Sequence, residues 1–150
     1  MVFSLLCAML ITGCSTSAAP KAQESSPQNA FTCSSMETSD GTAWVKGQLD
    51  AFSGSDPEAA YAFASSSFKA RNSLEQFIAI ITSNYEFLLN LDSYTVDGCS
   101  KQGDFYLFTV SLSDSNGQAY IMEYTLSLLG TSWGVDAASV ISSEGEPAYS

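Results

Sequence analysis

From Leu91 onward the chain alternates apolar and polar residues, and three turns fix which alternate set must be buried. The segments SYTVDGC, DFYLFTVSLSD, QAYIMEYTLSLL and SWGVDAASVI read as four strands separated by glycine-containing turns. A two-residue loop at Asn116-Gly117 would set Val110 against Glu123, mixing apolar and charged residues on one side. A three-residue loop Ser115-Asn116-Gly117, with Gly117 left-handed, instead sets Tyr106, Phe108, Val110 and Leu112 against Leu126, Tyr124, Met122 and Tyr120. The next turn, Gly130-Thr131, works as a two-residue loop and places Leu128 beside Trp133 and Leu126 beside Val135. A turn through Lys101-Gln102-Gly103 then sets Val96 beside Phe108 and Tyr94 beside Val110, with Cys99 on the opposite face. A slip of one residue would turn every one of these side chains over, so the pattern specifies an antiparallel meander with a single apolar side. That side has to be covered.

The cover lies upstream. Val45, Leu49 and Phe52 fall at i, i+4 and i+7 with Trp44 flanking, which predicts a helix from about Asp40 to Phe52, ended by Gly54. Asp56-Pro57-Glu58 starts a second helix: the carboxylate caps, proline suits the first helical position, and the acid faces the positive end of the helix dipole. Its stripe Ala60, Phe63, Ala64 and Ser67 is narrow enough for close approach. Ser73 and Gln76 form a capping-box pair for a third helix, whose face is Leu74, Phe77, Ile78, Ile81 and Tyr85. The predicted fold class is therefore α+β, three helices packed on a curved four-stranded antiparallel meander.

Charge narrows the partners. Five Lys and Arg face sixteen Asp and Glu, for a net charge of −11. Such a surface repels phosphate backbones and anionic headgroups, so nucleic acid is not an expected partner. The chain has no histidine. Histidine-based triads and the commonest transition-metal ligand are thereby absent, and neither a metal nor a cofactor is expected.

The N-terminal run VFSLLCAMLI is ten residues, half of the roughly 20 that a membrane-spanning helix needs. It reads as the hydrophobic part of an export signal. Cleavage after Ser17-Ala18-Ala19 would leave Pro20 behind the cut, an unfavourable place for it. The alternative is Ile11-Thr12-Gly13-Cys14, which resembles the lipobox of bacterial lipoproteins. The resemblance implies cleavage before Cys14, acylation of its thiol, and an extracytoplasmic domain anchored to the cell membrane through lipid. A plain secreted protein and a membrane-retained signal are the other readings. Residues 1–13 are then signal, 14–36 a tether rich in Ser, Ala, Pro and Gln, 37–143 the folded domain and 144–150 a tail. With Cys7 in the signal and Cys14 on lipid, Cys33 and Cys99 remain, and outside the cytoplasm two such cysteines usually pair. That pairing would draw Phe31 to Met36 back to the folded body.

Helices followed by an antiparallel meander resemble the cone-shaped fold of the nuclear-transport-factor-two-like superfamily. Within it, residues 43–141 look like a family of uncharacterised domains with Q-x-x-A-F, D-x-x-x-A, F-A-S, F-x-x-x-[IV]-x-x-x-Y and late Y-x-L…W elements. Gln48, Ala51, Phe52, Asp56, Ala60, Phe63 to Ser65, Phe77, Ile81, Tyr85, Tyr124, Leu126 and Trp133 occupy those positions, and Ser66 stands where the family carries proline. The resemblance implies a pocket between helices and sheet, here drawn from Phe63, Phe77, Tyr94, Phe108, Tyr120, Tyr124 and Trp133. Some relatives of this shape, such as ketosteroid isomerase, place a carboxylate base and a tyrosine donor inside it. Asp92 with Tyr94 or Tyr124 is the corresponding candidate pair, Asp50 with Asp56 a weaker one. The leading expectation is a binding or accessory module taking a small apolar ligand, ahead of a pocket enzyme of the isomerase or dehydratase type. Phe105, Leu107 and Ile121 on the outer sheet face point to a homodimer or to a cover by the Cys33 segment.

Overall fold

A computed structural model describes residues 31–143; the expected signal segment 1–13, Cys14, the expected tether as far as residue 30 and the 144–150 tail lie outside the described residues. The order is β1 (Phe31–Thr32), α1 (Ser35–Ser53), α2 (Pro57–Ala62), α3 (Ser66–Arg71), α4 (Leu74–Asn84), a 3₁₀ turn (Glu86–Asn90), then β2 (Leu91–Gln102), β3 (Phe105–Asp114), β4 (Ala119–Leu129) and β5 (Ser132–Ser143). The strands form one antiparallel sheet in chain order, five strands rather than four. The additional strand follows from the Cys33–Cys99 disulfide, with Cα atoms 5.8 Å apart. It holds Phe31 against Lys101 and Thr32 against Ser100 on the β2 edge.

Two of the three turns hold as expected. Tyr106, Phe108, Val110 and Leu112 oppose Leu126, Tyr124, Met122 and Tyr120, across a loop in which Gly117 takes φ +81°. Asp114 fixes that loop by accepting from Asn116 N and Gln118 N, each at 2.9 Å. Leu126 opposes Val135 and Leu128 opposes Trp133. The third turn differs: the tight turn is Gly103-Asp104, and together with a bulge further along β2 it sets Val96 against Val110 and Tyr94 against Leu112. A bulge at Asp97, between Val96 and Gly98, flips the parity of the residues beyond it. Cys99 therefore lies opposite Phe108, on the inner face, where Cys33 meets it.

The helical layer also differs in count, with four α-helices for the three expected. Helix α1 starts at Ser35, because Ser34 and Glu37 form a capping box. The expected domain start at residue 37 falls inside it. The second expected helix breaks at Ala64, where Val135 N donates to Phe63 O and Ser65 N donates to Val135 O, both at 2.9 Å. An extended stretch there covers part of the open edge of β5, which helix could not do. Gly134 makes this approach feasible: a Cβ there would lie 2.5 Å from Ser65 Cα. Gly134→Ala is expected to cost about 1–3 kcal/mol in chemical unfolding, because the clash is with backbone that cannot rotate away.

The inner sheet face and α1 make the core, with Val45, Leu49, Phe108, Val110, Met122, Tyr124 and Leu126 all fully buried. Phe105 and Ile121 remain exposed, since the Cys33 segment runs along the sheet edge and leaves the outer face uncovered. At the α1 N-terminus Glu37 accepts from Ser34 N at 2.8 Å and from the Tyr106 hydroxyl at 2.8 Å, with Lys101 Nζ at 3.4 Å. These donors, the Ser34 backbone N–H foremost, hold its pKa at about 2 against an ordinary 4.5. A depressed carboxylate stabilises the fold above its unfolded pKa, and that contribution disappears as pH falls through the folded one. Wild type is thus expected to lose midpoint stability relative to Glu37→Gln between pH 4.5 and about 2, followed by acid titration of the thermal midpoint.

Candidate functional site

The helices do not close fully on the sheet. A cavity of about 80 Å³ remains where α1, α3 and α4 converge on β4 and β5. Its wall is apolar: Phe52 from α1, Phe68 from α3, Phe77 and Ile81 from α4, Leu88 from the 3₁₀ turn, Met122 from β4 and Val135 from β5. Bulges at Asp136 and Ile141 bend β5 and so shape the far wall. Partly exposed Ile80, Tyr85 and Ala138, with exposed Ala137, mark the opening between α4 and β5.

Two polar side chains with different bonding stand in this wall. Gln48 is buried, and its Nε2 donates to Ala60 O at 3.0 Å, which ties α1 to α2. Tyr124 is fully buried, and among the described residues its hydroxyl has no hydrogen-bond partner. Burial, with a smaller contribution from Tyr85, pushes the Tyr124 phenol well above its ordinary pKa, so it stays protonated. Leaving such a hydroxyl unpaired costs about 1–3 kcal/mol, and such orphans are rare in folded proteins. At the mouth, the Tyr85 hydroxyl reaches Ala138 O at 3.4 Å. Among the described residues no carboxylate lines the cavity.

Of the seven pocket residues expected from sequence, Phe77 and Tyr124 line this cavity. Phe63 packs edge-on to Trp44 with centroids 5.2 Å apart, while the Trp44 indole donates to Phe63 O at 2.9 Å. Phe108 and Trp133 pack together with Tyr106 in the core. Tyr120 stacks on Phe87 at 4.0 Å, and burial with the nearby Asp114 carboxylate raises its pKa. Tyr94 donates to Asp50, and its pKa is pushed up to about 12 by burial first and that carboxylate second. The expected Asp92 pairing is not made: Asp92 sits at a register irregularity near the start of β2, exposed to solvent. Asp56 caps α2 by accepting from Ala59 N at 2.9 Å, which leaves Asp50 to Tyr94.

Sequence reasoning missed Gln48, Phe68, Met122 and Tyr85 as cavity residues. The helical stripes mark Phe77, Ile81 and Tyr85 as inward, yet a stripe does not say which inward residues touch each other and which border a gap. A second orphan is Asp136 Oδ2, buried while Oδ1 accepts from Ser65 Oγ at 2.6 Å. Among the described residues no cluster of three His, Cys, Asp or Glu is placed to hold a metal ion, and no helix is long and apolar enough to cross a membrane.

No curated protein and no solved structure matches the chain. A family model does: residues 34–148, which enclose the 43–141 stretch of the sequence resemblance, match the domain of unknown function DUF4864, and the chain belongs to that family.

Proposed function

We propose that this protein is a cell-envelope lipoprotein, exported, acylated at Cys14, and carrying a small ligand-binding module with the nuclear-transport-factor-two-like cone architecture. The observation that carries the binding reading is the apolar cavity between helices and sheet, lined from six separate elements. Concave apolar sites with few polar groups are where small ligands bind. The Cys33–Cys99 disulfide supports an oxidising compartment, since such bridges persist outside the cytoplasm. The helices-then-meander order, with the apolar face toward the helices, supports the cone. A lipid anchor fits a net charge of −11, because that surface is repelled by anionic headgroups and needs another means of attachment. A carboxylate-and-tyrosine isomerase is the lesser reading, as among the described residues the cavity wall offers two tyrosines and no carboxylate base.

The test is mass analysis of full-length protein extracted from the membranes of its producing cells, under denaturing and then native conditions. The denatured spectrum is expected to show a chain beginning at Cys14 with acyl mass added. The native spectrum is expected to show a small retained adduct. A mature chain that keeps its first thirteen residues, or one recovered unacylated, would overturn the anchor; a Cys14→Ala protein still pelleting with membranes would do the same.

A further inference from the structure

The side-chain amide of Gln48 marks the polar point on the inner wall of the cavity. Ala60 O can only accept, so the Gln48 group 3.0 Å from it is the NH₂, and the amide's orientation is thereby fixed. Its carbonyl oxygen, Oε1, points elsewhere. Among the described residues Oε1 accepts no hydrogen bond, and the unpaired buried atoms that expose under 1 Å² are the Tyr124 hydroxyl and Asp136 Oδ2, so Oε1 is open to a water-sized group. Gln48 as a whole is 3 % exposed and lines the cavity, so that opening is into the cavity. We infer that the cavity takes the hydroxyl-bearing end of an unbranched apolar molecule, the hydroxyl donating to Gln48 Oε1 and the chain leaving between α4 and β5. This deepens the binding reading above and rests on it.

The other polar side chains of the wall make no such demand. The Tyr124 hydroxyl is enclosed by its neighbours and does not face a ligand. Tyr85 is partly exposed at the mouth, where its hydroxyl already donates to Ala138 O at 3.4 Å. Among the described residues no Lys, Arg, Asp or Glu lines the cavity, so a charged donor such as an ammonium would be desolvated there without compensation. A ketone or an ether only accepts, and would displace water from Oε1 while leaving that oxygen unpaired, the costly arrangement for a buried acceptor. A hydroxyl is neutral and donates. Volume sets the shape: an apolar cavity of roughly 150 Å³ admits benzene, so the present one, about 80 Å³, takes in proportion about three heavy atoms, a hydroxyl oxygen and two carbons. The rest of the chain passes the opening bordered by Ile80, Tyr85 and Ala137.

The experiment compares 1-butanol with methyl propyl ether, isomers that differ in having an O–H to donate, titrated into full-length protein with the Met122 methyl resonance as reporter. Wild type is expected to bind the alcohol about tenfold more tightly than the ether, the signature of one hydrogen bond to a buried acceptor. Equal affinities, or a preference for the ether, would overturn the hydroxyl assignment and leave the apolar pocket standing. Binding of neither would overturn the pocket itself, and this inference with it. Gln48→Met keeps the length of the side chain and removes its carbonyl; there the preference is expected to fall to within about twofold. Its thermal midpoint checks the fold and is expected to drop, since Ala60 O loses its donor. A folded variant that retains the tenfold preference would overturn Gln48 as the acceptor, and the wild-type comparison decides the hydroxyl assignment whether or not the variant folds. Butylammonium is expected not to compete; competition by it would overturn the requirement for a neutral end.

Discussion

Replacing both Cys33 and Cys99 by alanine is expected to lower stability by roughly 4 kcal/mol, the chain-entropy value for a loop of this length. The bridge spans 66 residues of separation, so in the unfolded chain it removes a large set of conformations that the reduced chain regains. The folded state also depends on it locally. Strand β1 has two paired residues, too few to hold to an edge unaided. Helix α1 has independent anchors in its capping box and in the Tyr106 hydroxyl on Glu37. Hydrogen exchange is thus expected to accelerate around Thr32 and Lys101 well before β3 and β4 open, and chemical unfolding measures the total. Oxidised wild type treated with a reductant should reproduce the variant. A loss below about 1 kcal/mol would show that the bridge does not restrict the unfolded chain in this way.

Phe108→Ala is the second large effect, about 3–5 kcal/mol in the same assay. Phe108 is fully buried at the centre of the sheet, opposite Cys99 on one side and Tyr124 on the other. Its ring tip occupies the space where Gly41 of α1 has no side chain; a Cβ there would lie 2.2 Å from Phe108 Cζ. Truncating the ring removes apolar burial and opens a void between helix and sheet that a packed core cannot fill. Gly41→Ala tests the same contact from the other side. Alanine is the better helix former by about 1 kcal/mol, yet the substitution is expected to destabilise, because the ring has no free direction to move. In Gly41→Ala with Phe108→Ala the clash is gone, so the double variant should be less destabilised than the sum by about 0.5–3 kcal/mol. Simple additivity would show that the two do not pack as described.

Much of this architecture was legible residue by residue. The inward set Tyr106, Phe108, Val110 and Leu112, its partners on β4, and the loops at Gly117 and Gly130 followed from alternation and turn chemistry alone. Capping at Ser73 and Asp56 was equally readable, since a cap involves residues three apart. Illegible features share one property. The bulge at Asp97, the break at Ala64 and the fifth strand each answer to a distant segment: Cys99 must face Cys33, and the β5 edge needs a partner. The site was legible only in part. Tyr124 and Phe77 belonged to the expected pocket, whereas Gln48, Phe68 and Met122 reach the cavity from elements whose spacing depends on the whole fold.

What the sequence by itself determined is which side of each strand is buried and where the hairpins turn, because pleat and turn act over a few residues. What only the tertiary structure decided is which buried residues border empty space and which polar atom among them lacks a partner. A void is the volume left over when distant surfaces meet, and no local pattern encodes that remainder.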